Sequence, residues 1–229
     1  MIDTTKEFIF IWVPGTMGHE VHPVFEQAVH TIAPDGDYQL LCVEYPAKWN
    51  FDDSVPYGEE ALWKMLREVH KEKAPEQKVL VAGSSQGAWV ISNVMAGTPY
   101  NDTFATPNSP IVSEYRTIVH KTVLFGQPGV AVANWDEPEA DVWEISDLEN
   151  DAVTFEYPGK ERKLIRAIGD VFDWKLWHLF TILWFAILHP VRAIRMLYVI
   201  LTYAGILNLN DSPHDYGRWM PLAVYWLVN

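Results

Sequence analysis

At 229 residues, with 49% hydrophobic and 21% charged side chains, the chain is long and apolar enough to bury a core, which excludes disorder, collagen-like repeats and a disulfide-knit miniprotein. Its 17 Lys and Arg stand against 30 Asp and Glu, a net charge of −13, so the surface repels phosphate backbones and nucleic acid is not an expected partner. No segment has the basic clustering of an anionic-lipid binder, and Cys42, the single cysteine, excludes an intrachain disulfide and argues against maturation in an oxidising compartment.

The N-terminal run Met1 to Glu7 has no cationic region, and the apolar stretch Phe8 to Val13 is too short for a signal peptide. Synthesis in the cytosol is expected, with any action elsewhere following release by another route. Phe8 to Val13 itself reads as a buried strand ended by Pro14-Gly15. Val24, Phe25, Ala28, Val29 and Ile32 follow at helical spacing. Gln39 to Val43 reads as a second strand. Leu62, Met65, Leu66 and Val69 form the apolar stripe of an amphipathic helix, with Glu59, Glu60, Lys64, Arg67 and Glu68 opposite. Lys78 to Ala82 is a third strand, Ala88 to Ala96 a helix with Gly97 placed as its cap, and Lys121 to Phe125 a fourth strand. This alternation predicts a single α/β domain over residues 1–229, built on a parallel sheet with helices on both faces.

Thr98 to Ser113 reads as a polar loop, and Asn134 to Asp151 as an acidic surface excursion. Leu164 to Ile168 looks like a further strand. Trp174 to Leu209 is apolar nearly all round, but Pro190 interrupts it and Arg192 and Arg195 follow, so a membrane span is not expected. Two buried helices packed on the domain, as an insertion, are the expectation, with transient contact between some of that surface and a lipid.

Gly83-Ser84-Ser85-Gln86-Gly87 fits G-x-S-x-G between a strand and a helix, the context of a nucleophile elbow. There the Ser85 hydroxyl is expected to project toward solvent at a helix N-terminus, with the Gln86 N–H able to bind a developing oxyanion. A serine needs a base, usually a histidine oriented by a carboxylate, in the chain order Ser, acid, His. Of the eight histidines, His19, His22, His30 and His70 precede Ser85, His120 opens a strand, and His178 and His189 lie in the apolar segment. His214, in a polar loop near the C-terminus, is left as the candidate base. Asp170 follows the Leu164 to Ile168 segment, where catalytic groups gather in open α/β sheets, and is the candidate acid. Asp173 is a neighbouring alternative, and Asp147 and Asp151 lie upstream in the acidic excursion. Thr16, in Pro14-Gly15-Thr16-Met17-Gly18 after the first strand, is the candidate second oxyanion donor. No metal cluster, P-loop or dinucleotide fingerprint is visible, so neither metal nor cofactor is expected.

The elbow with Gln86 and Ala88, the strand end Val123-Leu124-Phe125-Gly126-Gln127-Pro128, the run Val13-Pro14-Gly15-Thr16, Gly169-Asp170 and Pro213-His214 together resemble the cutinase-like α/β hydrolases. Within that superfamily they are similar to the lysin B enzymes of actinobacterial phages. The resemblance implies an esterase acting on the ester that joins mycolic acids to arabinogalactan in the cell envelope. It implies Ser85 as nucleophile, Asp170 as acid, His214 as base and a helical insertion between the last two. A second alignment, through Tyr157-Pro158-Gly159-Lys160, would set Lys160 at the acid's position. The lone Cys42 departs from the disulfides of secreted cutinases. Trp174, Trp177, Trp184 and Phe185 crowd the insertion and are candidates for contact with an acyl chain, or for plain core. A generic esterase on smaller esters and a non-enzymatic envelope-binding protein are the alternatives.

Overall fold

The computed structural model describes residues 1–33, 36–96, 117–127, 141–146, 179–188, 190–191, 193–194, 197 and 216–229. In chain order these form β1 (Phe8–Val13), α1 (Pro23–Ile32), β2 (Tyr38–Cys42), α2 (Phe51–Glu72), β3 (Lys78–Ser84), α3 (Gln86–Ala96), β4 (Val119–Phe125), β5 (Asp141–Ile145), α4 (Leu179–Leu188), a 3-10 turn (Gly217–Trp219) and α5 (Met220–Val228). The sheet runs β2-β1-β3-β4-β5, and every pairing is parallel.

Alternation along β1 decides which helices cover which face. Ile9, Ile11 and Val13 point to one side, where they meet Leu62, Leu66 and Val69 of α2 and Val90, Ile91 and Val94 of α3. Phe8, Phe10 and Trp12 point to the other, among Phe25 and Val29 of α1 and Met220, Ala223, Val224 and Leu227 of α5. A parallel sheet buried on both sides needs apolar residues at both parities, which is why β1 is an unbroken hydrophobic run. The four α5 residues recur at i, i+3, i+4 and i+7, the spacing of one helical face.

Two expectations are corrected. The acidic stretch 134–151 contains β5, which pairs with β4 from Lys121↔Asp141 to Phe125↔Ile145. Asp141 and Glu144 disguise it, since both are exposed and interrupt the apolar run by which a buried strand is recognised. The apolar segment is also not buried where it is described. Leu183, Trp184, Ile187 and Leu188 of α4 are exposed, as are Val191, Ile194 and Leu197 beyond it. The Leu164 to Ile168 strand and the Gly97 cap lie outside the described residues. Among those residues, no helix is long and apolar enough to cross a membrane.

Candidate active site

From β1 the chain winds to β2 on one side; from β3 it winds to β4 and β5 on the other. Between β1 and β3 the winding reverses, and in such sheets ligands bind beyond the strand ends at that point. Register places Val13 opposite Gly83, so the turn after β1 and the turn after β3 emerge side by side. The first carries Gly15 and Thr16, the second Ser85 and Gln86.

Ser85 has φ +51, in the left-handed region that costs an L-residue roughly 1–2 kcal/mol. Its neighbours hold it there. The Ser85 N–H donates to the Phe125 carbonyl at 2.8 Å, tying the turn to the end of β4, and the Ser85 carbonyl accepts from Trp89 N–H at 3.1 Å. That second bond opens the α3 ladder, so the N–H groups of Gln86, Gly87 and Ala88 precede it as the unladdered donors of a helix N-terminus.

The glycines of the elbow are required by contact. A Cβ on Gly87 would lie 2.1 Å from the Val13 carbonyl oxygen and 2.6 Å from that of Pro14. On Gly83 it would meet Ile91 Cδ1 at 2.7 Å and the Val13 oxygen at 2.8 Å. On Gly15 it would stand 2.9 Å from the Ser84 oxygen and 3.3 Å from Ser85 Cβ, so the first turn lies directly against the second. That close approach also corrects one expectation: Ser85 does not project into open solvent but is only 8% exposed, and Thr16 beside it only 7%.

The turn after β1 is fixed from the β2 side. Met17, at φ +66, donates its N–H to the Ala47 carbonyl at 2.6 Å, and Gly18 N–H returns to the Gly15 carbonyl at 2.9 Å. With those two donors engaged, Gly15 and Thr16 are the remaining candidates in this turn for an oxyanion contact. The Tyr45 hydroxyl donates to the Pro14 carbonyl at 2.6 Å, and burial pushes the phenol well above its ordinary pKa, so it stays a protonated donor.

Gln86 is buried, and its carboxamide crosslinks the site's walls. It accepts from the Ser54 hydroxyl at 3.3 Å and donates to the Lys48 carbonyl at 3.0 Å, while Lys48 N–H donates to Ser54 Oγ at 2.9 Å. Sequence reasoning missed Tyr45, Lys48 and Ser54, because no local spacing marks residues that meet only through the fold.

The structure thus brings Ser85, Gln86 and Thr16 together. Asp170, Asp173, His214, Trp174 and Trp177 lie outside the described residues, as does the side chain of Phe185; Trp184 is exposed on α4. His120 is accounted for elsewhere: its Nδ1 accepts from Val79 N–H at 3.1 Å, where the β3–β4 register shifts. Val79 and Ser85 are six residues apart along β3, so His120 sits roughly 20 Å from the elbow. His22 caps α1, its Nδ1 accepting from Val24 N–H at 3.3 Å. Among the described residues, no cluster of three or more His, Cys, Asp or Glu could hold a metal ion.

The family model for cutinase matches residues 12–154, more than half of the chain, spanning Thr16 and the elbow but not Asp170 or His214. Among solved structures, lysin B from Mycobacteriophage D29 superposes with a TM-score of 0.65 at 14% identity, covering 98% of this chain and 100% of that one. Trichoderma reesei cutinase in complex with a phosphonate inhibitor gives 0.53 at 16% identity, covering 99% of this chain and 77% of that one. The catalytic core domain of acetyl xylan esterase from Trichoderma reesei gives 0.51 at 13% identity, covering 77% and 98%. No curated protein matches the sequence.

Proposed function

The chain belongs to the cutinase family, and from that premise we propose that it is a serine esterase hydrolysing lipid esters through an acyl-enzyme on Ser85. The observation that carries this reading is the left-handed Ser85 at the switch point, between a helix N-terminus and the Gly15–Thr16 turn. Strain of this kind persists only where surrounding contacts enforce it, and here it holds a hydroxyl beside clustered N–H donors.

In the proposed reaction, His214 takes the Ser85 Oγ proton as that oxygen bonds to the ester carbonyl carbon. The carbonyl oxygen becomes an oxyanion that accepts from the N–H groups of Gln86 and Thr16. His214 then gives the proton to the departing alkoxide as the C–O bond breaks, leaving acyl-Ser85 and an alcohol. Water, deprotonated by His214, cleaves the acyl-enzyme in a second passage through the same states. Asp170, or Asp173 in its place, orients the imidazole and stabilises its charged form. Trp174, Trp177, Trp184 and Phe185 are assigned to contact with the acyl chain.

For the substrate we propose the ester between mycolic acid and arabinogalactan in the actinobacterial envelope, met after release from the host cytosol. What supports this choice is the likeness in fold to a phage lysin B, which extends over nearly all of both chains. A generic esterase acting on smaller esters is the second reading, favoured by the likeness to a fungal cutinase.

Ser85→Ala and His214→Ala should each lower p-nitrophenyl ester turnover by on the order of 10³-fold or more, with circular dichroism unchanged. Retention of half the wild-type rate by either variant would remove that residue from the mechanism. A fluorophosphonate that fails to label well-folded protein would support a non-enzymatic envelope-binding role. Turnover of mycolyl-arabinogalactan against short esters separates the two esterase readings.

A further inference from the structure

Helix α4, Leu179-Phe180-Thr181-Ile182-Leu183-Trp184-Phe185-Ala186-Ile187-Leu188, has no charged residue and no polar face. An apolar helix of ten residues is ordinarily core, re-entrant or interfacial. A core position is excluded for the face formed by Leu183, Trp184, Ile187 and Leu188, which are 58%, 64%, 63% and 54% exposed. Further along the chain Val191, Ile194 and Leu197 are also each more than half exposed. Soluble surfaces rarely leave so contiguous a patch uncovered.

Length and charge decide what covers it. Ten helical residues rise about 15 Å, half of the ~30 Å hydrocarbon core of a bilayer. The helix is therefore long enough to enter one leaflet and too short to span two. Charge argues against a second copy of the chain. Residues 174–210 contain Lys175, Arg192 and Arg195 and no acidic residue, which leaves 14 Lys and Arg against 30 Asp and Glu in the rest of the chain, a net −16. Pairing two copies through this face would bring two such acidic bodies together. The three cations instead flank the apolar helix on both sides along the chain, the arrangement that suits the phosphates of lipid headgroups while apolar side chains enter the acyl layer.

We propose that α4 and the exposed apolar residues after it form a monotopic anchor that inserts into a single leaflet of a phospholipid layer. The anchor deepens the esterase reading, since it would hold Ser85 near lipid-borne esters, but its test does not depend on turnover. Wild-type protein mixed with phosphatidylcholine vesicles should sediment with them, and lipids brominated along the acyl chain should quench its tryptophan fluorescence. The double variant Leu183→Glu/Ile187→Glu alters two exposed side chains outside the catalytic machinery and should fold normally by circular dichroism. It should weaken vesicle binding by about a hundredfold or more, because a carboxylate is strongly disfavoured in hydrocarbon, with hydrolysis of a water-soluble butyrate ester unchanged. Ser85→Ala should bind vesicles like wild type, so a failed esterase reading leaves this result standing. Wild-type protein that stays in the supernatant unquenched, or a double variant that binds vesicles as tightly as wild type, overturns the proposal. If the wild type is also an oligomer that the double variant converts to monomers, the face belongs to a second copy.

Discussion

Ser85 was legible because what makes it a candidate nucleophile, G-x-S-x-G between an apolar strand and a helix, lies in one continuous stretch of chain. The brace around it was not. Ser54, Lys48 and Gln86 meet across separations in sequence that carry no periodic signal, and the Met17–Ala47 bond joins two loops. The elbow's glycines permit a test of whether contact or conformation limits a site. Gly87→Ala drives a Cβ into two carbonyl oxygens of rigid backbone and should prevent folding or abolish cooperative denaturation. Gly36 has φ +72 but nothing within 4 Å of an added Cβ. Gly36→Ala should therefore cost only the conformational penalty, roughly 1–2 kcal/mol by urea titration. Equal costs at the two positions would mean that the elbow is looser than its contacts imply. Cys42 gives a second residue-scale expectation. Burial, reinforced by Glu44 and Glu20, pushes its thiol up from 9.0 to about 11. Near neutral pH its alkylation by iodoacetamide should be about a hundredfold slower than that of free cysteine. The unfolded thiol loses its proton first, so the contribution of Cys42 to stability should be steady below pH 9 and fall as pH climbs toward 11. Cys42→Ala should flatten that fall relative to wild type.

At the scale of elements, β1, β3 and α1 announce themselves by apolar pattern, whereas the front half of α2 and all of β5 do not. The α2 stripe was legible from Leu62 to Val69, yet the helix begins at Phe51 and passes through Pro56. Phe51 and Val55 bury its first turns, but the turn that joins them to that stripe is held by polar and small residues. Asn93 donates to buried Glu59 at 2.6 Å, and Gly58 lets α2 approach α3 so closely that a Cβ would meet Val90 at 2.7 Å. Hydrophobic periodicity cannot register either device. In β5, two carboxylates within five residues masked a strand that is β only because β4 offers it an edge. The β3–β4 irregularity provides the element-scale prediction. His120→Ala removes the acceptor of Val79 N–H and should cost about 1 kcal/mol in urea denaturation, with ester turnover unchanged because the site is at the far end of β3. Partial burial holds the His120 imidazole below its ordinary 6.5, so the unfolded chain takes up the proton first. Wild-type stability should then decline as pH falls below that value, and more steeply than in the variant. A drop in turnover without loss of stability would place His120 in the chemistry instead.

Across the whole molecule the chain divides into an acidic body and an apolar segment free of acids, a division visible in composition long before its consequence. What composition could not tell is whether that segment would be buried, because an all-round apolar helix suits a core and a lipid equally until exposure is known. The division also fixes how binding to membranes should respond to salt. Insertion of α4 is a hydrophobic event, nearly indifferent to ionic strength, so adsorption to phosphatidylcholine vesicles should change little between low and physiological salt. Vesicles enriched in phosphatidylglycerol repel the acidic body. That repulsion reaches about 30 Å at 0.01 M salt and about 8 Å at 0.15 M. Adsorption to anionic vesicles should accordingly strengthen as salt is raised, the reverse of a polybasic binder, whose affinity is screened away. Weakening of binding with salt on both kinds of vesicle would mean that Lys175, Arg192 and Arg195 hold the protein at the surface electrostatically, and that α4 does not enter the leaflet.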